Sequence, residues 1–164
     1  MDSKLAHGLS LLTTGIYVLT VNDGQQRHGM SSSWVTQVSG DPPLLMAAVD
    51  QRHFTHGIVE RTGRFALNVI GRDHRELEDH FYSASARRPD NLESIAHRGG
   101  ASGLPLIAAA LASLECRVVA THPAGDHSLF VASVEHVTVR PGGPPLTSLD
   151  LDYVYVGAVV KRPR

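Results

Sequence analysis

A chain of 164 residues suits one domain, and a domain of that size buries roughly 70% of its unfolded surface without covalent staples. Fifteen Lys and Arg face 16 Asp and Glu, a formal net charge of -1, which excludes nucleic acid and anionic membrane as main partners because both need a basic excess. The lone cysteine, Cys116, excludes an internal disulfide and a cysteine-based zinc site.

The N-terminus, MDSKLAHGL, lacks the charged start and long apolar centre of a leader, and no apolar run reaches the roughly 20 residues that span a bilayer. The expected location is cytoplasmic. Leu5, Leu9 and Leu12 recur at helical spacing, so a short amphipathic helix is predicted, capped by Asp2 or Ser3 and stopped at Gly15. IYVLTV then runs into Asn22-Asp23-Gly24, a strand followed by turn chemistry. HGMSSSWVTQVSGDPP, residues 28–43, predicts a second strand that ends in a proline-enforced turn. LLMAAV, residues 44–49, is a fully apolar strand.

HFTHGIVERT and DHRELEDHF predict helices on either side of the strand FALNVI. Residues 83–103 are polar and broken, which predicts a long loop with one helical turn at most. ALASLECRVVATH and SLFVASVEHVTVRP flank PAGD, a long hairpin in which Cys116 is a buried, inert thiol, and YVYVGAVV forms the closing strand. Strands outnumber helices and follow one another directly. The expected fold is therefore mainly β, an antiparallel barrel with short peripheral helices, in a single domain over residues 1–164.

The chain has no dinucleotide fingerprint, no phosphate-cradling GxxxxGK[ST] and no nucleophile-elbow GxSxG. Ten histidines raise the question of a metal, but His53 and His56, three apart, lack a third ligand at a spacing that zinc enzymes use, so no metal site is expected. What remains is the hydroxyl-rich stretch. Ser31, Ser32, Ser33, Thr36, Gln37 and Ser39 suit either a strand that approaches a flat polar heterocycle or a plain solvent-facing strand.

GMSSSWVTQVSGDPPLLMAAVD resembles the signature segment of the flavin reductase-like family, the FMN-binding split barrels. RHFTH, GRFALNVIGRDHRELEDHF and the pair ALASLEC and GDHSLF resemble it further, in order and at matching intervals, from about Leu9 to Gly157. The resemblance implies a six-stranded antiparallel split β-barrel and a homodimer with FMN near its interface. It also implies reduction of FMN or FAD by NADH or NADPH, with the reduced flavin passed to a partner monooxygenase. An electron-transfer flavoprotein with a protein redox partner, or a non-catalytic FMN binder, is the alternative.

Carried over by position, Ser33, Trp34, Val35, Thr36, Gln37, Val38 and Ser39 line the isoalloxazine and ribityl chain. Asp50, Gln51, Arg52 and Thr55 lie near the ribityl and phosphate, with Arg52, Ser33 and Thr55 as donors to the phosphate. His127, in Gly125-Asp126-His127, is the implied catalytic residue and positions the nicotinamide or bonds the flavin edge. Trp34 stands where the family has small or hydroxyl residues, and a dimer interface or the core is favoured for it over a stack on the flavin. Arg87, Arg88 and Arg98 are read as solvated loop charges rather than nucleotide clamps.

Overall fold

The computed structural model describes residues 1–82 and 90–162, so Arg87 and Arg88 lie outside the described residues. Helix α1 (Ser3–Ser10) starts at Asp2, whose carboxylate accepts the Lys4 N–H, and ends at Leu11 rather than at Gly15. Its periodic leucines do not reach a core: Leu5 and Leu12 are exposed and Leu9 is only half-buried. Strand β1 (Tyr17–Asn22) turns through Asp23, whose carboxylate caps the N–H groups of Gln25 and Gln26, into β2 (Arg27–Ser32).

The hydroxyl-rich stretch is not one strand. It breaks at Ser33-Trp34, and the chain resumes as β3 (Val35–Gly40), followed by β4 (Pro43–Asp50). The two halves pair with different neighbours, Ser32 with Tyr17 and Val35 with Ala47, and end on opposite edges of the sheet.

Helix α2 (Phe54–Thr62) leads through Gly63 into β5 (Arg64–Val69), and α3 (Arg75–Tyr82) follows. A small hairpin, β6 (His97–Gly99) with β7 (Pro105–Ile107), stands where a loop to Gly103 is expected. Glu115 anchors its turn by accepting the N–H groups of Ala101 and Ser102. The long hairpin is β8 (Ala112–Ala124) and β9 (His127–Val139), with Gly125 at φ 61° in the two-residue turn, a conformation that glycine adopts without strain. The chain closes not as one strand but as a hairpin, β10 (Tyr153–Tyr155) with β11 (Val159–Lys161), because Gly157 at φ 90° reverses it.

The main sheet runs β2-β1-β5-β8-β9-β4-β3, entirely antiparallel. It has seven strands rather than six, the added strand arising from the break at Ser33-Trp34, and no described pairing joins β2 to β3 to close it. Residues from both halves of the sheet meet in one core. Leu19 and Met30 share it with Ala47, Val49, Phe130 and with Ile58 and Val59 of α2, so the sheet curls around that helix. Cys116 is buried in the same core, where desolvation pushes its thiol up to about 12. A second core on the other side of β1 joins Ile16, Val18 and Ile70 to Leu77 and Phe81 of α3 and to Leu146 and Leu151. Strand β1 is covered on both faces, which is why its four central residues are all buried.

Edge strand β2 is held by a side chain instead of a strand. Asn91 accepts the Gly29 N–H at 2.8 Å and donates to the Gly29 carbonyl at 2.7 Å, imitating a ladder partner. Position 29 also needs glycine for closeness, since a Cβ there would stand 2.5 Å from the Phe81 ring. That contact presses α3 onto β2 and fixes one wall of the site.

Candidate active site

A cleft of about 790 Å³ opens where the strand break, the ends of β2 and β4, the start of α2, helix α3 and residues 148–155 converge. That volume lies in the range of small-molecule sites. Of the residues expected from the sequence, Ser33, Trp34, Asp50, Arg52 and His127 line it.

The others stand elsewhere in this chain. Val35, Thr36, Gln37, Val38 and Ser39 form edge strand β3, with Thr36, Gln37 and Val38 exposed and none of the five on the cleft wall, because the break carries the chain to the far edge of the sheet. Gln51 is exposed, its backbone N–H bonded to the Asp126 carbonyl and its amide to the His127 carbonyl, so it ties the hairpin tip to the end of β4. Thr55 is fully buried, with its hydroxyl 3.0 Å from His28 Nδ1, and so does not line the cleft as a phosphate donor. Arg98 lies on β6 and donates to the Thr138 hydroxyl, away from the cleft.

His127 is the first residue after the hairpin turn, opposite Asp50 in the β4–β9 register. Its Nδ1–H donates to Asp126 at 2.7 Å, which fixes the ring and leaves Nε2 without a described partner. That bond, more than anything else near it, holds the Asp126 carboxyl below the usual carboxylate range. The Trp34 ring lies 4.8 Å from His127 and 5.7 Å from Tyr155. Trp34 thus belongs to the cleft wall in an aromatic row, rather than to the core.

Arg52 grips Asp50 with two guanidinium bonds, at 3.2 and 2.9 Å, and its backbone N–H adds a third at 2.8 Å. Those bonds hold the Asp50 carboxyl at about 2. The Arg52 side chain is 80% exposed, so a phosphate would compete with Asp50 for a solvated guanidinium.

At the start of α2, His53 Nδ1 accepts the Thr55 N–H and caps the helix, a role open only to the neutral ring. Burial pulls His53 down to about 4, and neighbouring His28 adds to the effect. The unfolded chain therefore takes up a proton at His53 that the folded chain refuses. Stability from this group is full above about pH 6.5 and falls as the pH drops towards 4. The melting temperature of the parent is expected to fall over that window, and His53→Asn, which keeps a capping side chain, to show a shallower fall. Identical profiles would remove His53 from the account.

Sequence reasoning missed half the wall: His28, His53 and Phe54 on one side, and Thr14, Glu78, Tyr82, Ser148, Tyr153 and Tyr155 on the other. Glu78 carried a signal. It sits next to Leu77 and three residues before Phe81, in the inward stripe of α3, where a charge is out of place. The alternation Tyr153-Val154-Tyr155 also put two tyrosines on one face.

Two buried hydroxyls, Thr14 Oγ1 and Ser32 Oγ, have no hydrogen-bond partner among the described residues, and both residues line the cleft. A buried orphan hydroxyl beside a cleft is a place where a bound polar group would find a partner. With the Trp34–His127–Tyr155 row beside it, the wall fits a flat ring bearing polar atoms, as in a flavin.

The flavin reductase like domain matches residues 9–157. An NADH-dependent flavin reductase of Rhodococcus sp is 34% identical over 141 residues, covering 86% of this chain and 75% of that protein. The reductase component of 4-hydroxyphenylacetate 3-monooxygenase of Thermus thermophilus is 30% identical over 153 residues, covering 93% and 95%. Among solved structures, the NADH:FAD oxidoreductase SgcE6 of Streptomyces globisporus superposes with a TM-score of 0.81 at 29% identity, covering 90% of each chain. A profile matched across nearly the whole chain, and relatives matched at this length, show that the chain belongs to the flavin reductase-like family.

Proposed function

We propose that this protein is an NADH-dependent flavin reductase and that the cleft beside His127 is where nicotinamide and flavin meet. The observation that carries the reading is the row of Trp34, His127 and Tyr155 beside the orphan hydroxyl of Ser32, in a chain of this family. Flavin, FMN or FAD, supplies the two-electron acceptor, and the nicotinamide supplies the hydride. The protein's task is alignment: hydride transfer needs the reacting atoms about 3–3.5 Å apart and asks for no protein acid or base. Asp126 holds the His127 ring, His127 positions the nicotinamide, and Trp34 backs both.

The same reading makes the protein the reductase half of a two-component system that hands reduced flavin to a monooxygenase in the cytoplasm. It also makes it a homodimer. Among the described residues, strand β3 has an edge that no strand pairs, with Thr36, Gln37 and Val38 exposed, and α1 offers exposed Leu5 and Leu11. Paired across two chains, the hydroxyl row of β3 would reach the partner's cleft, which restores residues 35–39 to the flavin. On this reading the curled sheet is a split barrel whose gap lies between β2 and β3.

Mixing catalytic protein with NADH and FMN or FAD under anaerobic conditions is expected to bleach the flavin absorbance, whereas NADH and flavin alone react slowly. Flavin that quenches Trp34, the single tryptophan, yet stays yellow with both NADH and NADPH would overturn the reductase reading in favour of an electron carrier or plain FMN binder.

A further inference from the structure

The side of the cleft away from His127 has no role in that account. Its wall is Glu78 and Tyr82 of α3, Ser31 of β2, Thr14 and Tyr153. Glu78 is 2% exposed, yet no Lys or Arg among the described residues forms an ion pair with it within 4 Å, and Arg75 acts on it only at longer range. Its carboxylate accepts from the Tyr153 hydroxyl at 2.6 Å and the Ser31 hydroxyl at 3.3 Å. A carboxylate has about four acceptor positions, so two neutral donors leave it half satisfied. Burial pushes it above the usual carboxylate range, since a charge there loses its water. Beside it, the rings of Tyr82 and Tyr153 lie 5.3 Å apart and tilted by 32°, and the orphan hydroxyl of Thr14 stands on the same wall.

We infer that this side is a second ring-binding subsite, in which Glu78 accepts an N–H from the edge of a heteroaromatic ring packed beside Tyr82 and Tyr153. The inference rests on the flavin reductase reading and narrows it. A negative wall with neutral hydroxyls repels phosphate and takes an uncharged ring with N–H donors. Two sources carry that chemistry: the imide edge of the isoalloxazine, and the amino-bearing rings of the nucleotides, adenine or nicotinamide carboxamide.

Glu78→Gln keeps the volume and removes the charge. Dissociation constants for FMN and FAD and the KM for NADH, set beside the melting temperature, decide the matter. A loss of about tenfold, the scale of one hydrogen bond to a charged group, is expected for the ligand whose ring sits there and not for the others. Weakening of FMN and FAD alike with NADH unchanged assigns the subsite to the isoalloxazine; weakening of FAD or NADH with FMN unchanged assigns it to a nucleotide ring. Either supports the inference. Unchanged values throughout, or a uniform loss that follows a fall in melting temperature, overturn it and leave Glu78 a structural residue. If Glu78→Gln does not fold, Glu78→Asp withdraws the carboxylate by one methylene, and the same ligand-selective pattern, at about threefold, is the criterion. A parent protein that binds neither flavin nor NADH overturns the flavin reading as well, an outcome distinct from a parent that binds both and a variant that matches it.

Discussion

Replacing His127 with Ala is expected to slow reduction of flavin by NADH by about 100-fold while the dissociation constant for FMN stays within about twofold, because a positional error of about 1 Å in a hydride-transfer site costs that much rate. The imidazole is well placed to prevent such an error. It is 7% exposed, donates to Asp126 at 2.7 Å, and lies 4.8 Å from the Trp34 ring, so two contacts fix its plane and its open nitrogen. The backbone should survive the change. The His127 carbonyl keeps the bond from the Gln51 amide, and the register opposite Asp50 is set by backbone pairing. The loss should therefore fall on the chemical step in single-turnover stopped-flow traces and on the KM for NADH, not on the binding of flavin. Equal reduction rates in parent and variant would end the positioning role proposed for His127.

The fold was legible where pattern and turn chemistry agree. The 13-residue strands β8 and β9 were readable because alternation is long on each side of a Gly-Asp turn that dictates a hairpin. It was not legible where one stretch of suitable residues serves two partners. Residues 28–40 have strand character throughout, but pairing is a tertiary choice: Ser32 meets Tyr17, while the Trp34 carbonyl already accepts the Ala48 N–H of the opposite edge. The leucines of α1 misled in a different way, since an apolar stripe says that a face wants cover without saying what covers it. In the site, the resemblance pointed to Ser33, Trp34, Asp50, Arg52 and His127, which line the cleft, whereas single-chain geometry moved Val35 through Ser39, Gln51 and Thr55 away from its wall. Glu78 escaped notice because a Glu in a short polar helix looks solvated until the partner surface is known.

The largest stability loss is expected from Asn68→Ala, near the end of β5. FALNVI reads as an apolar strand with one polar intruder, and that intruder is fully buried. Its amide nitrogen donates to the Val18 carbonyl and the Thr20 hydroxyl, at 3.0 and 3.1 Å, and its oxygen accepts the Ile107 N–H and the Ser113 hydroxyl, at 3.0 and 2.8 Å. One side chain thus ties β1, β5, β7 and β8 together where the second core begins. Thr20 keeps the Pro105 carbonyl as an acceptor at 2.6 Å, but the buried Ile107 N–H and Ser113 hydroxyl lose the bonds described for them. At about 1–3 kcal/mol per buried group left unpaired, the variant should lose about 2–6 kcal/mol, a large share of the roughly 5–15 kcal/mol that holds a domain. For a chain of this size the melting temperature should fall by on the order of 10 °C, read by circular dichroism, with Asn68→Asp no milder because a buried carboxylate would turn an oxygen on the Val18 carbonyl that Asn68 donates to. A change under about 0.5 kcal/mol, the size expected of a neutral surface substitution, would show that these four bonds do not hold the sheet together.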